Sequence, residues 1–462
     1  MTEKNTNSKL SEKNVKKLYM YVVRNAFAAG KSGCVAMGKE WLLHEAVLSN
    51  EAAVVRQILS DPDVLNIDCR NNYGRAPVHL AASRGNSEIL KLLINAKCDI
   101  EAKDKLEMRP LHMAALHGQR AALELLLEAG AQATALDKNQ RSLLMLAAQS
   151  SCHSSSSSSS SSENQRQIKE EGNEDEDEEE VVLHLLNRLG SQAEMLEALC
   201  VQDVEGATAA HHAARHGRSG PIRSIGRKLG AEGLRRVLEV RDLQGRTALH
   251  EACQQGQRSA AAQLLELGAD PLVQDSQGRS VLQLAAERRD SQLCCWMLSG
   301  SGLGPARARA LLQLSDSRGY RLLHVAASLG CCVILQCLLD SELWTGPELV
   351  EQLRTGCLEA ANSALHLAAA SGQLQAVELL VHHGAELELR NQLGQTPLEL
   401  AEERGHGQVC RSLLRAEQRR EQPSSRARML AVTGRGLANM TSIVARTAHI
   451  LYSLDYTTPK ND

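Results

Sequence analysis

The feature that most constrains this chain is a short phrase that returns ten times along it. It reads Leu43-His44-Glu45-Ala46, Pro77-Val78-His79-Leu80-Ala81, Pro110-Leu111-His112-Met113-Ala114 and Leu143-Leu144-Met145-Leu146-Ala147, then Ala210-His211-His212-Ala213 and Ala248-Leu249-His250-Glu251-Ala252. It continues as Val281-Leu282-Gln283-Leu284-Ala285, Leu322-Leu323-His324-Val325-Ala326, Ala364-Leu365-His366-Leu367-Ala368 and Pro397-Leu398-Glu399-Leu400-Ala401. Several neighbours stand 33 residues apart: His79, His112 and Met145; His250 and Gln283; His366 and Glu399. A fixed period of this length marks stacked supersecondary units, none of which can bury its apolar face alone.

The chemistry around the phrase fits a helix start. Thr247, Ser280, Ser363 and Thr396 precede apolar, Ala-rich runs, where a hydroxyl can accept a free backbone N–H of the first turn. The histidine at the fourth place can bond back to that hydroxyl and tie one unit to the next. Stripes such as Ile89, Leu92 and Leu93, or Val377, Leu380 and Val381, mark a second helix. Gly118, Gly256 and Gly372 suit a left-handed helix end, and Asp-x-x-Gly at Asp242, Asp275 and Asp316 suits a tight turn.

Over residues 40–417 this pattern resembles the ankyrin repeat. The resemblance implies an all-α solenoid of about ten helix-turn-helix units with short β-hairpin fingers. It also implies a protein-binding scaffold with no chemistry of its own, its contacts lying on the finger tips and the concave face.

Four segments follow from composition. Residues 1–39 form a basic leader whose Val15, Leu18, Val22 and Phe27 predict a capping helix over 14–29. Residues 40–204 hold repeats one to four, interrupted by an insert, 152–180, with nine consecutive serines and an acidic run over Glu170–Glu180. That insert has too little apolar surface to offset its ordering entropy and is read as disordered. Residues 205–417 hold repeats five to ten. In repeat five, Gly217, Gly220, Pro221, Gly226, Gly230 and Gly233 fall where a second helix belongs, which predicts a weak unit and a bend. Longer connections over Ser299–Ala310 and Leu343–Glu359 predict extra turns or short helices. Residues 418–462 are a tail with a helix expected over 437–451, either capping the stack or docking a partner.

The formal net charge of −3 gives no global attraction to nucleic acid, and no apolar run of membrane-spanning length occurs. The thirteen cysteines show no disulfide framework, which points to reduced thiols in the cytosol or nucleus. No metal or cofactor motif and no catalytic constellation is present in the sequence, so no enzyme is expected. Seven of the sixteen histidines belong to the repeat phrase.

Candidate partner contacts come from one column. Arg75, Arg141, Arg246 and Arg279 stand just before the helix caps, and Arg109 and Arg321 stand one place later. Stacked, they predict an arginine ridge suited to an acidic protein segment, with Tyr73, Leu106, Met108, Tyr320 and Leu393 as apolar anchors. The acidic run of the insert is a candidate to screen that ridge. Ser161 and Ser162 are candidates for phosphorylation. Lys169, in Ile168-Lys169-Glu170-Glu171, resembles an attachment site for a small ubiquitin-like modifier. The expected role is an adaptor for one or more proteins, of open oligomeric state. A transcriptional regulator of the inhibitor or cofactor type and a substrate-recruiting subunit of a ubiquitin ligase are the alternatives.

Overall fold

The computed structural model describes residues 38–60, 66–150, 173–189, 191–299, 302–340, 344, 346–358 and 360–421. The leader helix, Ser161, Ser162, Lys169 and the tail helix all lie outside these residues. The chain divides into two compact units, 1–317 and 318–462.

In the first unit, α1 (Gly38–Leu48) and α2 (Ala52–Ser60) form repeat one, α3 (Pro77–Arg84) and α4 (Ser87–Asn95) repeat two, and α5 (Pro110–Leu116) and α6 (Arg120–Glu128) repeat three. Repeat four has α7 (Leu143–Ala148), α8 (Asn173–Arg188) and a third helix, α9 (Gln192–Cys200). Repeat five has α10 (Ala209–Arg215), α11 (Ser219–Lys228) and α12 (Ala231–Glu239). Repeat six has α13 (Ala248–Gln255) and α14 (Arg258–Glu266), and repeat seven has α15 (Val281–Glu287), α16 (Ser291–Leu298) and α17 (Pro305–Gln313). In the second unit, α18 (Leu322–Leu329), α19 (Cys332–Leu339) and α20 (Gly346–Arg354) form repeat eight, α21 (Ala364–Ala370) and α22 (Leu374–His382) repeat nine, and α23 (Pro397–Glu403) and α24 (Gly407–Glu421) repeat ten. Among the described residues the fingers are turns, with no strand.

Within each unit, first helices pack on first helices and second on second: α3 on α5 and α10 on α13, α18 on α21 and α21 on α23, α4 on α6, α22 on α24. Small residues allow the close approach. Ala81, Ala114, Ala213, Ala252, Ala285 and Ala368 are fully or almost fully buried, and the second helices fill the space behind them with Ile89, Leu93, Leu123, Leu126, Leu264 and Leu380.

Capping is done largely by the phrase histidine. Nδ1 accepts the N–H of the residue three places earlier, from Ala76 to His79 (3.1 Å), Thr208 to His211 (3.2 Å), Thr247 to His250 (3.2 Å) and Ser363 to His366 (3.2 Å). A nitrogen that accepts there leaves Nε2 as the protonated one, and Nε2 donates to a carbonyl of the following repeat. His79 reaches Met108 (3.0 Å), His211 reaches Arg246 (3.0 Å) and His366 reaches Gln395 (3.1 Å). The hydroxyls take one of two arrangements. Ser280 and Thr396 accept a backbone N–H, whereas Thr208 and Thr247 meet the histidine Nδ1 at 2.9 Å and make no cap bond.

Two expectations change. The second helix of repeat four starts at Asn173, not Val181, so the end of the acidic run is helical. Negative charge at a helix N-terminus is favoured by the macrodipole, and Glu is a good helix former. This helix packs on α7 and α11, in the helical layer and not over the fingers. In repeat five, expected to be a weak unit, the second helix forms across three of the helix-disfavouring residues, Gly220, Pro221 and Gly226. Pro221 sits in the first turn of α11, where its missing N–H costs nothing. Gly226 is there for closeness: a Cβ on it would come within 2.5 Å of Leu267 Cδ2 in the next repeat. The extra turns expected in repeats seven and eight are α17 and α20. The extra helices of repeats four and five, α9 and α12, pack against each other.

Candidate protein-binding fingers

Most fingers are built by one side-chain oxygen, usually that of a carboxylate. Asp242 Oδ1 accepts the N–H groups of Gln244 (2.9 Å) and Arg246 (2.8 Å), while Oδ2 accepts Arg246 Nε (2.9 Å). Asp275 does the same with Gln277, Arg279 and the Arg279 guanidinium, as does Asp137 with Asn139 and Arg141. Asn71 holds the first finger through the N–H groups of Tyr73 and Arg75. Gly245 stands at φ 73°, and the next finger comes so near that a Cβ there would lie 2.8 Å from Ser276 N.

Successive fingers are joined tip to tip. In the first unit the carbonyls of Tyr73, Leu106, Asn139, Glu205, Gln244 and Gln277 accept the N–H groups of Lys105, Lys138, Val204, Leu243, Ser276 and Ser317 at 2.8–3.2 Å. In the second unit Arg318 accepts from Leu358 (3.0 Å) and Ala360 from Gln392 (2.9 Å).

The arginine column is present, but its charge is engaged. Arg75 pairs with Asp104 (3.3 Å), Arg109 with Glu101 (3.0 Å), Arg141 with Asp137 (2.8 Å), Arg246 with Asp242 (2.7 Å) and Arg279 with Asp275 (2.9 Å). Arg246 also pairs with Glu251 (2.9 Å), whose other oxygen meets Arg215 of repeat five. In the second unit Arg321 donates to Gln352 Oε1 (2.7 Å) and lies 3.4 Å from Thr355 Oγ1. An acidic partner seeking these guanidinium groups would compete with carboxylates already in place, most of them buried.

The apolar anchors divide. Met108 is 2 % exposed, its carbonyl taken by His79, so it is corrected from a contact residue to a core residue. Tyr320 is half-buried with its ring edge on His324. Tyr73 and Leu106 are 70 % and 50 % exposed on neighbouring fingers, and the Arg75 guanidinium lies 5.8 Å from the Tyr73 ring centre. Sequence reasoning missed three further tips: Val204 (57 %) and Leu243 (74 %) on neighbouring fingers of the first unit, and Leu358 (71 %) beside the finger of Leu393 (77 %) in the second. Each sits at the start of a finger turn, directly after Asp203, Asp242 or Cys357, where no sequence signal marks an apolar residue.

Burial lowers the proton affinity of His79, His112, His211 and His366, and takes His250 down to about 4, though Asp275 and the carbonyls of Val273 and Arg279 pull it upward. At neutral pH these rings are therefore uncharged. No group of three or more His, Cys, Asp or Glu among the described residues is placed to hold a metal ion. No helix among them is long and apolar enough to cross a membrane.

An array of stacked helix pairs joined by self-capping fingers defines a repeat protein. The family model for ankyrin repeats matches this chain in three copies, at residues 43–137, 228–308 and 323–422, and the chain belongs to that family. Among curated proteins it is similar to Synphilin-1 of Mus musculus, 33 % identical over 132 residues, covering 28 % of this chain and 12 % of the relative. It is similar to SH3 and multiple ankyrin repeat domains protein 2 of Homo sapiens, 31 % identical over 142 residues (31 % of this chain, 7 % of the relative). It is also similar to the B-cell lymphoma 3 protein homolog of Mus musculus, 27 % identical over 154 residues (33 % of this chain, 32 % of the relative). The chain thus matches under a third of each relative's length. Ankyrin repeats are protein-interaction modules, and that much holds for this chain.

Proposed function

We propose that the chain is a non-enzymatic adaptor that holds partner proteins on its finger tips. The observation that carries this is the set of exposed apolar tips in adjacent pairs: Tyr73 with Leu106, Val204 with Leu243, Leu358 with Leu393. Each tip sits on a turn whose backbone bonds are already satisfied, so it needs no ordering when a partner arrives. In this reading the arginines are rim residues. Arg75 and Arg109 hold the Tyr73 and Leu106 fingers in place and present partly exposed guanidinium edges beside them. Burying one Leu or Tyr side chain is worth about 1.5–3 kcal/mol, so two adjacent tips supply a binding centre of the size that dominates protein interfaces.

The test compares the intact chain with Tyr73→Ser/Leu106→Ser and with Val204→Ser/Leu243→Ser by proximity labelling and quantitative affinity measurement. Each pair should leave the helical circular dichroism unchanged and weaken its partner by roughly a hundredfold or more, from about 3 kcal/mol of lost burial. Unaltered partner sets in both variants would remove the proposal.

A further inference from the structure

The first fingers of the chain carry more positive charge than they neutralise. Over residues 71–75, 101–109 and 137–141 stand six Lys or Arg and four Asp or Glu. Each carboxylate has its own cation: Asp104 takes Arg75, Glu101 takes Arg109, Asp137 takes Arg141, and Glu107 takes Lys103 at 3.0 Å. Two cations are left over. Lys105 and Lys138 are exposed and have no ion-pair partner among the described residues.

The backbone sets these two lysines beside the apolar tips. The Lys105 N–H donates to the Tyr73 carbonyl (3.2 Å) and the Lys138 N–H to the Leu106 carbonyl (3.0 Å), so each tip has a lysine of the next finger as its neighbour. Gly74, at φ 76°, makes the first approach possible: a Cβ on it would lie 3.0 Å from Lys105 N and 3.2 Å from Lys105 Cγ. The Lys105 stem therefore starts against the finger that carries Tyr73, and its ammonium group stays in solvent. The junctions that follow are built differently. Val204 donates to the Asn139 carbonyl, and Leu243 to that of Glu205, whose carboxylate is held by Arg215 at 3.0 Å. One ladder thus places an apolar tip beside a free cation at repeats two to four, and beside an amide or a neutralised acid at repeats five and six.

We propose, on the reading that the finger tips are the contact surface, that the tips of repeats two to four receive an acidic segment of another protein. Its apolar side chains lie on Tyr73 and Leu106, and its Asp or Glu carboxylates meet Lys105 and Lys138. Charge complementarity selects this occupant. A basic segment would bring like charges against two uncompensated cations, and a purely apolar one would give them no partner. The lysines serve better than the arginine column, because an incoming carboxylate has no resident one to displace. Exposed lysines are flexible point charges, so they contribute partner choice and association rate more than tight binding.

The test uses the full-length chain to select from a displayed random-peptide library, with the affinity of synthetic copies of the selected peptides read by fluorescence anisotropy. Selected peptides should carry Asp or Glu beside Leu, Phe or Trp. They should bind Lys105→Glu/Lys138→Glu roughly tenfold or more weakly. Replacing their acidic residues by Lys should restore binding to that variant and weaken binding to the wild type. Tyr73→Ser/Leu106→Ser should lose the peptides altogether. Peptides that need Tyr73 and Leu106 but bind the lysine variant unchanged would overturn the proposal and leave the finger-tip reading standing. A selection with no enrichment of acidic residues would also overturn it. Peptides indifferent to both pairs of substitutions would overturn it and count against the finger-tip reading as well.

Discussion

Replacing His250 by Gln should keep repeat six folded while removing most of its acid sensitivity. The repeat supplies its own precedent. At the equivalent place in repeat seven, Gln283 Oε1 accepts the Ser280 N–H at 2.8 Å, doing the capping work that Nδ1 of His250 does for Thr247. Gln cannot take up a proton. Burial takes His250 from an ordinary value of 6.5 to about 4. The folded value lies below the unfolded one, so the stabilisation is complete above about pH 6.5, falls as pH drops, and levels off near the folded value. The full span is about 3 kcal/mol. Between pH 7.5 and pH 5 the loss from this group alone is about 2 kcal/mol, because the unfolded ring charges first. Native-state hydrogen exchange across α13 and α14, corrected for intrinsic rates, reads this locally, since each repeat depends mainly on its neighbours. Wild type should lose that stability at repeat six on acidification, and His250→Gln should lose about 2 kcal/mol less. An identical pH slope in the two proteins would refute the reasoning, and so would a Gln variant already unfolded at pH 7.5.

Three other perturbations follow from the packing. Gly245→Ala places a Cβ 2.8 Å from Ser276 N at a left-handed residue; a loss of about 2 kcal/mol or more, seen as a lower Tm, is expected, and an unchanged Tm would contradict the close approach of the fingers. Leu264→Ala empties a fully buried site on α14 and should cost about 2–5 kcal/mol in urea unfolding, with the loss centred on repeats five to seven. The Cys253 thiol is fully buried and pushed up to about 12, so maleimide labelling of the native protein at pH 8 should spare it until the repeat opens; prompt labelling of Cys253 would show that the site is not closed.

The fold was legible because its signals are local and periodic. The histidine, the small residues beside it and the following stripe recur in fixed phase, and the phase fixes both helices of a repeat. Gly226 signals a weak helix because glycine lowers helix propensity, yet it lies inside α11, where Leu267 of the next repeat packs against its bare backbone. α9 and α12 escaped notice because each is stabilised by packing on the other, a pairing between segments with no shared phrase. In the column before the helix caps, Arg141, Arg246 and Arg279 were legible as positions but not as charges. Each sits four residues after the Asp that neutralises it, a spacing visible in the sequence once the finger turn is known to bring the two ends together. The tips Val204, Leu243 and Leu358 were hidden for the opposite reason: nothing local requires an apolar residue there, so only their exposure in the fold makes them conspicuous.

The central claim, that adjacent apolar finger tips receive partner proteins, is tested most directly by placing a photo-crosslinking residue at Leu243 in one chain and at Arg235, exposed on α12, in another. Irradiation in cells should give discrete protein adducts from position 243 that disappear when Val204 is also changed to Ser, and none of those adducts from position 235. The same adducts from position 235, or none from 243 while binding persists, would contradict it.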